Sequence, residues 1–148
     1  MNALKSGLTL QTQPDTRLAL VREAWVRDVK DLVHTVEEWA EGAAAERGWT
    51  TTKADIELSE EATGGSYVVP ILEIHAPEGK LVLEPVGRGT MNADGRVDLY
   101  AWPSLYRVML LRKNDQGWIV RTDSGLDWPE SWGDDTFMSL AGGLLKAL

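Results

Sequence analysis

Three groups of residues in this chain have side chains able to do chemistry. The first lies between residues 96 and 121. Alternation places Val97, Leu99 and Ala101 on one face of a strand and Arg96, Asp98, Tyr100 and Trp102 on the other. The next segment is apolar on both sides except at Arg107, the pattern of a central strand, and the one after it carries Arg121. An arginine on a central strand needs a partner, because an unpaired buried charge is costly. The plainer reading is an Arg107–Asp98 or Arg107–Glu84 ion pair. The functional reading is a guanidinium fork offered to an anionic ligand, with Asp98, Tyr100, Trp102, Arg107 and Arg121 as the binding residues and the aromatics as walls.

The second group is Glu73, His75 and Glu84, set within apolar runs, with Asp98 following along the chain. Strand-borne carboxylates hold Mg²⁺ or Mn²⁺ in metal-dependent nucleases. Glu73, Glu84 and Asp98 are therefore a metal candidate for a phosphodiesterase. The lysine that usually follows the acid by two positions is replaced here by His75. Solvated acids on an alternating strand are the plainer explanation.

The third group is a loop, residues 123–135, with five acids and no base, in which Trp128-Pro129 and Trp132 are embedded. Trp128, Trp132, Asp123 and Asp127 are candidates for a partner surface, since exposed tryptophans make binding hot spots. The alternative is that the indoles tuck under the sheet edge. The acids lack calcium-loop spacing. No G-x-S-x-G, H-E-x-x-H or complete phosphate loop is present, and Gly87-Arg88-Gly89 reads as a loop between strands.

The elements that must position these groups follow from periodicity. After the capping signal Pro14-Asp15-Thr16, the residues Leu18, Arg22, Trp25, Val29, Leu32, Val36, Trp39 and Ala43 repeat at spacings of four and three. With Arg47-Gly48 as its end, this is a helix of about 30 residues, or ~45 Å. Residues 1–14 are expected to be flexible or edge-packed. From Thr50 the period becomes two, and turn residues divide the chain into six strands near 51–59, 66–75, 79–86, 95–102, 105–113 and 117–122. Links this short cannot carry parallel crossovers, so the sheet should be an antiparallel meander. Asp134 or Asp135 opens a last helix to about Ala147, and Gly142-Gly143 within it suggests close approach to the sheet. The fold class is α+β: a long N-terminal helix, an antiparallel meander of about six strands and a short C-terminal helix, in one domain spanning 1–148.

Composition bounds the function. The 148 residues are enough to bury roughly 70% of the unfolded surface. With 15 basic and 23 acidic residues, the formal charge is −8, which argues against general nucleic-acid or membrane-surface binding. The absence of cysteine removes disulfides and thiol chemistry. No signal-like or membrane-spanning run is seen, and a cytoplasmic location is expected. The expectation is a non-enzymatic protein-binding, adaptor or self-associating module, with a protein partner, homo-oligomerisation and no cofactor. The alternatives are an anionic-ligand or enzyme site on the open sheet face, and a metal-dependent phosphodiesterase.

Overall fold

The structure, a computed structural model, describes the backbone of residues 2–148 apart from 90, 91 and 105, and the side chains from residue 16 onward. The elements are α1 (Asn2–Gly42), a single turn α2 (Ala44–Arg47), β1 (Thr50–Glu60), a 3₁₀ turn (Glu61–Thr63), β2 (Gly65–Ala76), β3 (Gly79–Gly87), β4 (Arg96–Trp102), β5 (Arg107–Lys113), β6 (Gly117–Thr122) and α3 (Asp134–Lys146). The six strands lie in chain order, and every neighbouring pair is antiparallel. The fold is the α+β meander that the alternation and short links require.

Three boundaries differ from the sequence expectation: α1 starts earlier and stops at Gly42, short of Arg47, and β5 begins at Arg107 instead of 105. α1 has 41 residues and begins at Asn2, so the capping signal at Pro14-Asp15-Thr16 is not used as a start. The stretch before Pro14 is mostly Ala, Leu, Lys, Gln and Thr, with one glycine, and nothing in it stops a helix. The side chains of residues 1–14, expected to be flexible or edge-packed, lie outside the described residues, as does Leu105 at the expected start of the fifth strand. At the other end α1 stops at Gly42, so the helix does not run unbroken to Arg47; the left-handed cap at Gly48, φ +70° with its N–H on the Ala44 carbonyl, closes the separate turn α2.

The helical stripe does what its spacing implies. Trp25, Val29, Leu32, Val36 and Ala43 are buried, joined by Val33 and Ala40, against one face of the sheet built from Leu72, Ile74, Leu81, Leu83, Val97, Leu99, Ala101, Leu110 and Val120. From α3, Phe137, Leu140, Ala141 and Leu145 complete the same core. Both helices therefore cover one face, and none of the described helices covers the other. Gly142-Gly143 does not mark approach to the sheet. A Cβ at Gly142 would meet only the Arg47 guanidinium, and one at Gly143 would meet nothing within 4 Å. No helix among the described residues is long and apolar enough to cross a membrane.

The strands fix the register that sequence left open. Asp98 lies opposite Glu84 on β3 and Met109 on β5, Tyr100 lies opposite Arg107, and Met109 lies opposite Arg121 on β6. The helix-free face thus carries Asp98, Tyr100, Arg107 and Arg121 on adjacent strands, as parity predicts.

Candidate functional site

At the centre of the helix-free face, Asp98 is fully buried although no helix covers it. Arg96, two residues along the same strand, donates from Nε to Oδ1 at 2.7 Å and from Nη2 to Oδ2 at 3.0 Å. Arg107, from β5, donates from Nη1 to Oδ2 at 3.0 Å. Period-two geometry puts Arg96 and Asp98 on the same face, and the β4–β5 register brings Arg107 alongside. The bonds to Asp98, with its nearby charge, raise the Arg96 pKa further above its ordinary value. Two guanidinium groups thus roof one carboxylate and take it out of water.

The same cluster extends to a phenol. The Arg107 guanidinium lies 4.6 Å from the centre of the Tyr100 ring, and the Tyr100 hydroxyl donates to Glu84 Oε1 at 2.7 Å. Burial and that bond to a carboxylate push the Tyr100 pKa up to about 12. The phenol is held protonated, as a donor and not as a base. The two arginines satisfy Asp98, and Tyr100 is engaged by Glu84, while Arg107 spends one of its five N–H donors on the carboxylate. The plainer of the two sequence readings, the Arg107–Asp98 ion pair, describes the geometry.

The other sequence candidates fall around this cluster. Arg121 is on the same face but turns to Asp127, Nε to Oδ1 at 2.8 Å. Asp123 accepts the Arg107 backbone N–H at 3.2 Å. Trp102 ends β4 with 59% of its surface exposed. Trp128 and Trp132 are partly buried and pack on the core. The Trp132 ring lies 5.5 Å from Trp39 and 6.2 Å from Phe137. Residues 126–128 run back along β6, with Arg121 bridged to Asp127 and the Trp128 N–H bonded to the Val120 carbonyl at 2.8 Å. Within this loop the tryptophans close the sheet edge and the core.

Glu73, Glu84 and Asp98 do not form one donor set. The Asp98 oxygens are taken by arginines and Glu84 by Tyr100, while Glu73 Oε2 stands 3.5 Å from Lys80 Nζ and 3.6 Å from His75 Nε2. Among the described residues, no group of three or more histidines or acids is placed to hold a metal ion.

A second polar network was not anticipated from sequence. Trp25 Nε1 donates to the Tyr67 hydroxyl at 3.1 Å, which in turn donates to the Glu60 carboxylate. The same carboxylate accepts the backbone N–H groups of Arg88 and Gly89, each at 2.8 Å. The Gly87-Arg88-Gly89 segment therefore does present amides to an anion, and that anion is the chain's own Glu60. The available signal was Glu60 at the end of β1, but its partners lie seven and nearly thirty residues away, beyond any local pattern.

This network predicts a pH dependence. Burial alone would raise the Glu60 pKa, but the bonds from Tyr67, Arg88 and Gly89 outweigh it and the pKa is lowered. A carboxylate with a lowered folded pKa contributes stability that is fully present above its ordinary pKa. That stability is lost as pH falls through the folded value. Glu60→Gln should therefore cost about 1 kcal/mol at pH 7, a figure discounted because the group is only partly buried. The cost should shrink towards zero as pH falls through the lowered folded value. Urea titrations of both proteins at pH 7 and pH 3 check this. An unchanged difference at the two pH values would show that the charge is not what matters.

Comparison with family models, curated proteins and solved structures finds no match to this chain.

Proposed function

We propose that the chain is a non-enzymatic protein-binding module whose contact surface centres on the Trp102 end of the helix-free sheet. The observation that carries this reading is a contrast between polar and apolar groups. The ionisable groups of the face are tied to one another, whereas Trp102, Tyr106 and Leu126 stand 59, 68 and 70% exposed at the end where β4 passes to β5 and β6 enters its loop. Exposed large aromatics beside arginines are the composition of binding hot spots. Arg107 and Arg121, each held by a carboxylate, supply a polar rim to the same end. An enzyme site would need a free base, nucleophile or donor set in a cavity. Here Asp98, Tyr100 and Arg107 converge on each other. The net charge of −8 favours a partner with a basic surface.

The test compares wild type with the double variant Trp102→Ala/Tyr106→Ala as baits in native lysate, with captured proteins quantified by mass spectrometry. Both side chains are exposed, so the variant should keep the wild-type melting midpoint within ~2 °C. A partner held by wild type should fall at least tenfold in recovery, because losing two hot-spot aromatics costs about 2 kcal/mol or more. Equal recovery by both baits, or none by either, rejects the proposal.

A further inference from the structure

The acidic loop folds back along β6 and leaves a cavity beside it. The space, about 480 Å³, lies between residues 116–120 and residues 127–132 and is within the range of small-molecule sites. Three of the chain's seven tryptophans, Trp118, Trp128 and Trp132, line it, together with the carboxylates of Asp127 and Glu130. All three indoles are only partly buried. Core contacts hold two of them: Trp118 lies 6.1 Å from Trp25 between ring centres, and Trp132 packs against Trp39 and Phe137. Among the described residues no ring contact joins the three to one another, and the cavity occupies the space between them. Packing on the core therefore fixes these indoles as walls without using up the surface they turn to the cavity.

The polar groups give this space a sign. Asp127 shares its charge with Arg121 at 2.8 Å, but Glu130 is exposed and meets no cation among the described residues. The main chain adds to it. The Val120 carbonyl and the Thr122 N–H point to the sheet edge and bond the loop. Trp118, two residues back, turns its carbonyl the same way, and among the described residues that carbonyl has no partner. The faces of the indoles carry the negative end of the ring quadrupole. Carboxylate, carbonyl and ring faces all favour a positive charge. Trp118 already draws one, the Arg112 guanidinium, 5.7 Å from its ring centre; that group is tied to Asp28 and does not line the cavity.

The kind of cation follows from the walls. A metal ion needs converging oxygen ligands, and no such group exists among the described residues. A guanidinium or a bare ammonium carries many N–H donors, and only Glu130 is free to accept from them with a full charge. An alkylated ammonium has few or no donors. It gains from aromatic faces, with tryptophan the best of them, and needs one counter-charge nearby. We propose that this cavity binds an alkylated ammonium head group, with Trp118, Trp128 and Trp132 as walls and Glu130 as the counter-charge. Trp102 and Tyr106 do not line it, so this proposal and the one for the Trp102 end can fail separately.

Choline is the probe, titrated into ¹⁵N-labelled protein and followed by the indole N–H signals. Those of Trp118, Trp128 and Trp132 should shift along one saturable curve with a Kd of ~1 mM, while those of Trp49 and Trp102 stay in place. The neutral isostere 3,3-dimethylbutan-1-ol should bind about tenfold more weakly, because it keeps the shape and loses the charge. Trp128→Leu and Glu130→Lys should each weaken choline binding by about tenfold or more. Glu130 is exposed, so its variant stays folded even if removing Trp128 disturbs the loop, and circular dichroism checks both. A short peptide bearing trimethyl-lysine distinguishes the source of the head group. Tighter binding than choline assigns it to a protein side chain, and equal or weaker binding to a free small molecule. No saturable shift up to about 50 mM choline, equal binding of the neutral isostere, or unchanged affinity in folded Glu130→Lys would overturn the proposal.

Discussion

Asp98→Ala is expected to lower stability by about 2–4 kcal/mol and the melting midpoint by roughly 10 °C. The carboxylate is fully buried on the sheet face that no helix covers, and Arg96 and Arg107 shield it. Removing it leaves two guanidinium groups facing each other across adjacent strands without a counter-charge. Their side chains are 31 and 38% exposed, so they can turn partly into water. The loss should therefore fall below that of breaking a wholly buried pair. The converse experiment is more discriminating. Arg96→Met leaves one guanidinium on Asp98, and so does Arg107→Met, so each single change should be moderate. Together they strand a buried carboxylate, and the double variant should cost at least 1 kcal/mol more than the sum of the singles. Urea denaturation of the four proteins reads this coupling. Additive singles, or an Asp98→Ala loss under about 0.5 kcal/mol, would mean that the cluster is dispensable to the fold. Its arginines would then be free for an anionic ligand.

The parts of this molecule that could be read in the sequence are those set by local periodicity. The stripe from Trp25 to Ala43, the six alternating segments and the turn residues between them specify a helix-covered meander, because a buried face forces period 3.6 on helices and period 2 on strands. Parity also gathered Asp98, Tyr100 and Arg107 on one face. Register was not legible, since sliding a strand by two residues preserves every face while changing every partner. That is why Arg107 can be assigned from sequence to Asp98 or to Glu84 with equal right. The bidentate bond from Arg96 needs no register, since parity already puts both residues on one face of β4, but sharing a face does not say that two side chains bond. The Glu60 network escaped for a related reason: it joins α1, β1, β2 and the turn after β3 through side chains with no shared period. The tryptophans of the acidic loop were ambiguous because composition does not distinguish an indole that closes a core from one that awaits a partner. Trp39 and Phe137 decide the matter for Trp132 by packing against it, tilted and edge-on. The early start of α1 is not legible in the sequence, because capping residues permit a helix to begin but do not oblige it to.

Gly95→Ala is expected to destabilise by roughly 3 kcal/mol, a large effect for adding one methyl group. A Cβ at residue 95 would stand 2.2, 2.5 and 2.7 Å from three ring atoms of Trp25, which is itself 1% exposed. The obstacle is a rigid indole, not the flexible end of a long side chain. Gly95 cannot easily retreat, because its carbonyl accepts the Arg112 N–H at 2.8 Å and the preceding Asp94 N–H bonds the Arg112 carbonyl at 2.7 Å. Trp25 is pinned as well, by its bond to Tyr67 and by the Trp118 ring 6.1 Å away. One side must move, and moving Trp25 also pulls its N–H from Tyr67, whose hydroxyl bonds Glu60. The strain should therefore reach the junction of α1 with the sheet. A double-mutant cycle isolates this cause. Trp25→Leu alone should cost about 3–4 kcal/mol through the volume it leaves. In that background Gly95→Ala should cost under about 1 kcal/mol, because the space is now there. Urea denaturation measures all four proteins. If Gly95→Ala costs the same with leucine at position 25, the backbone conformation of Gly95, at φ +158°, and not its contact with the indole, is what the glycine serves.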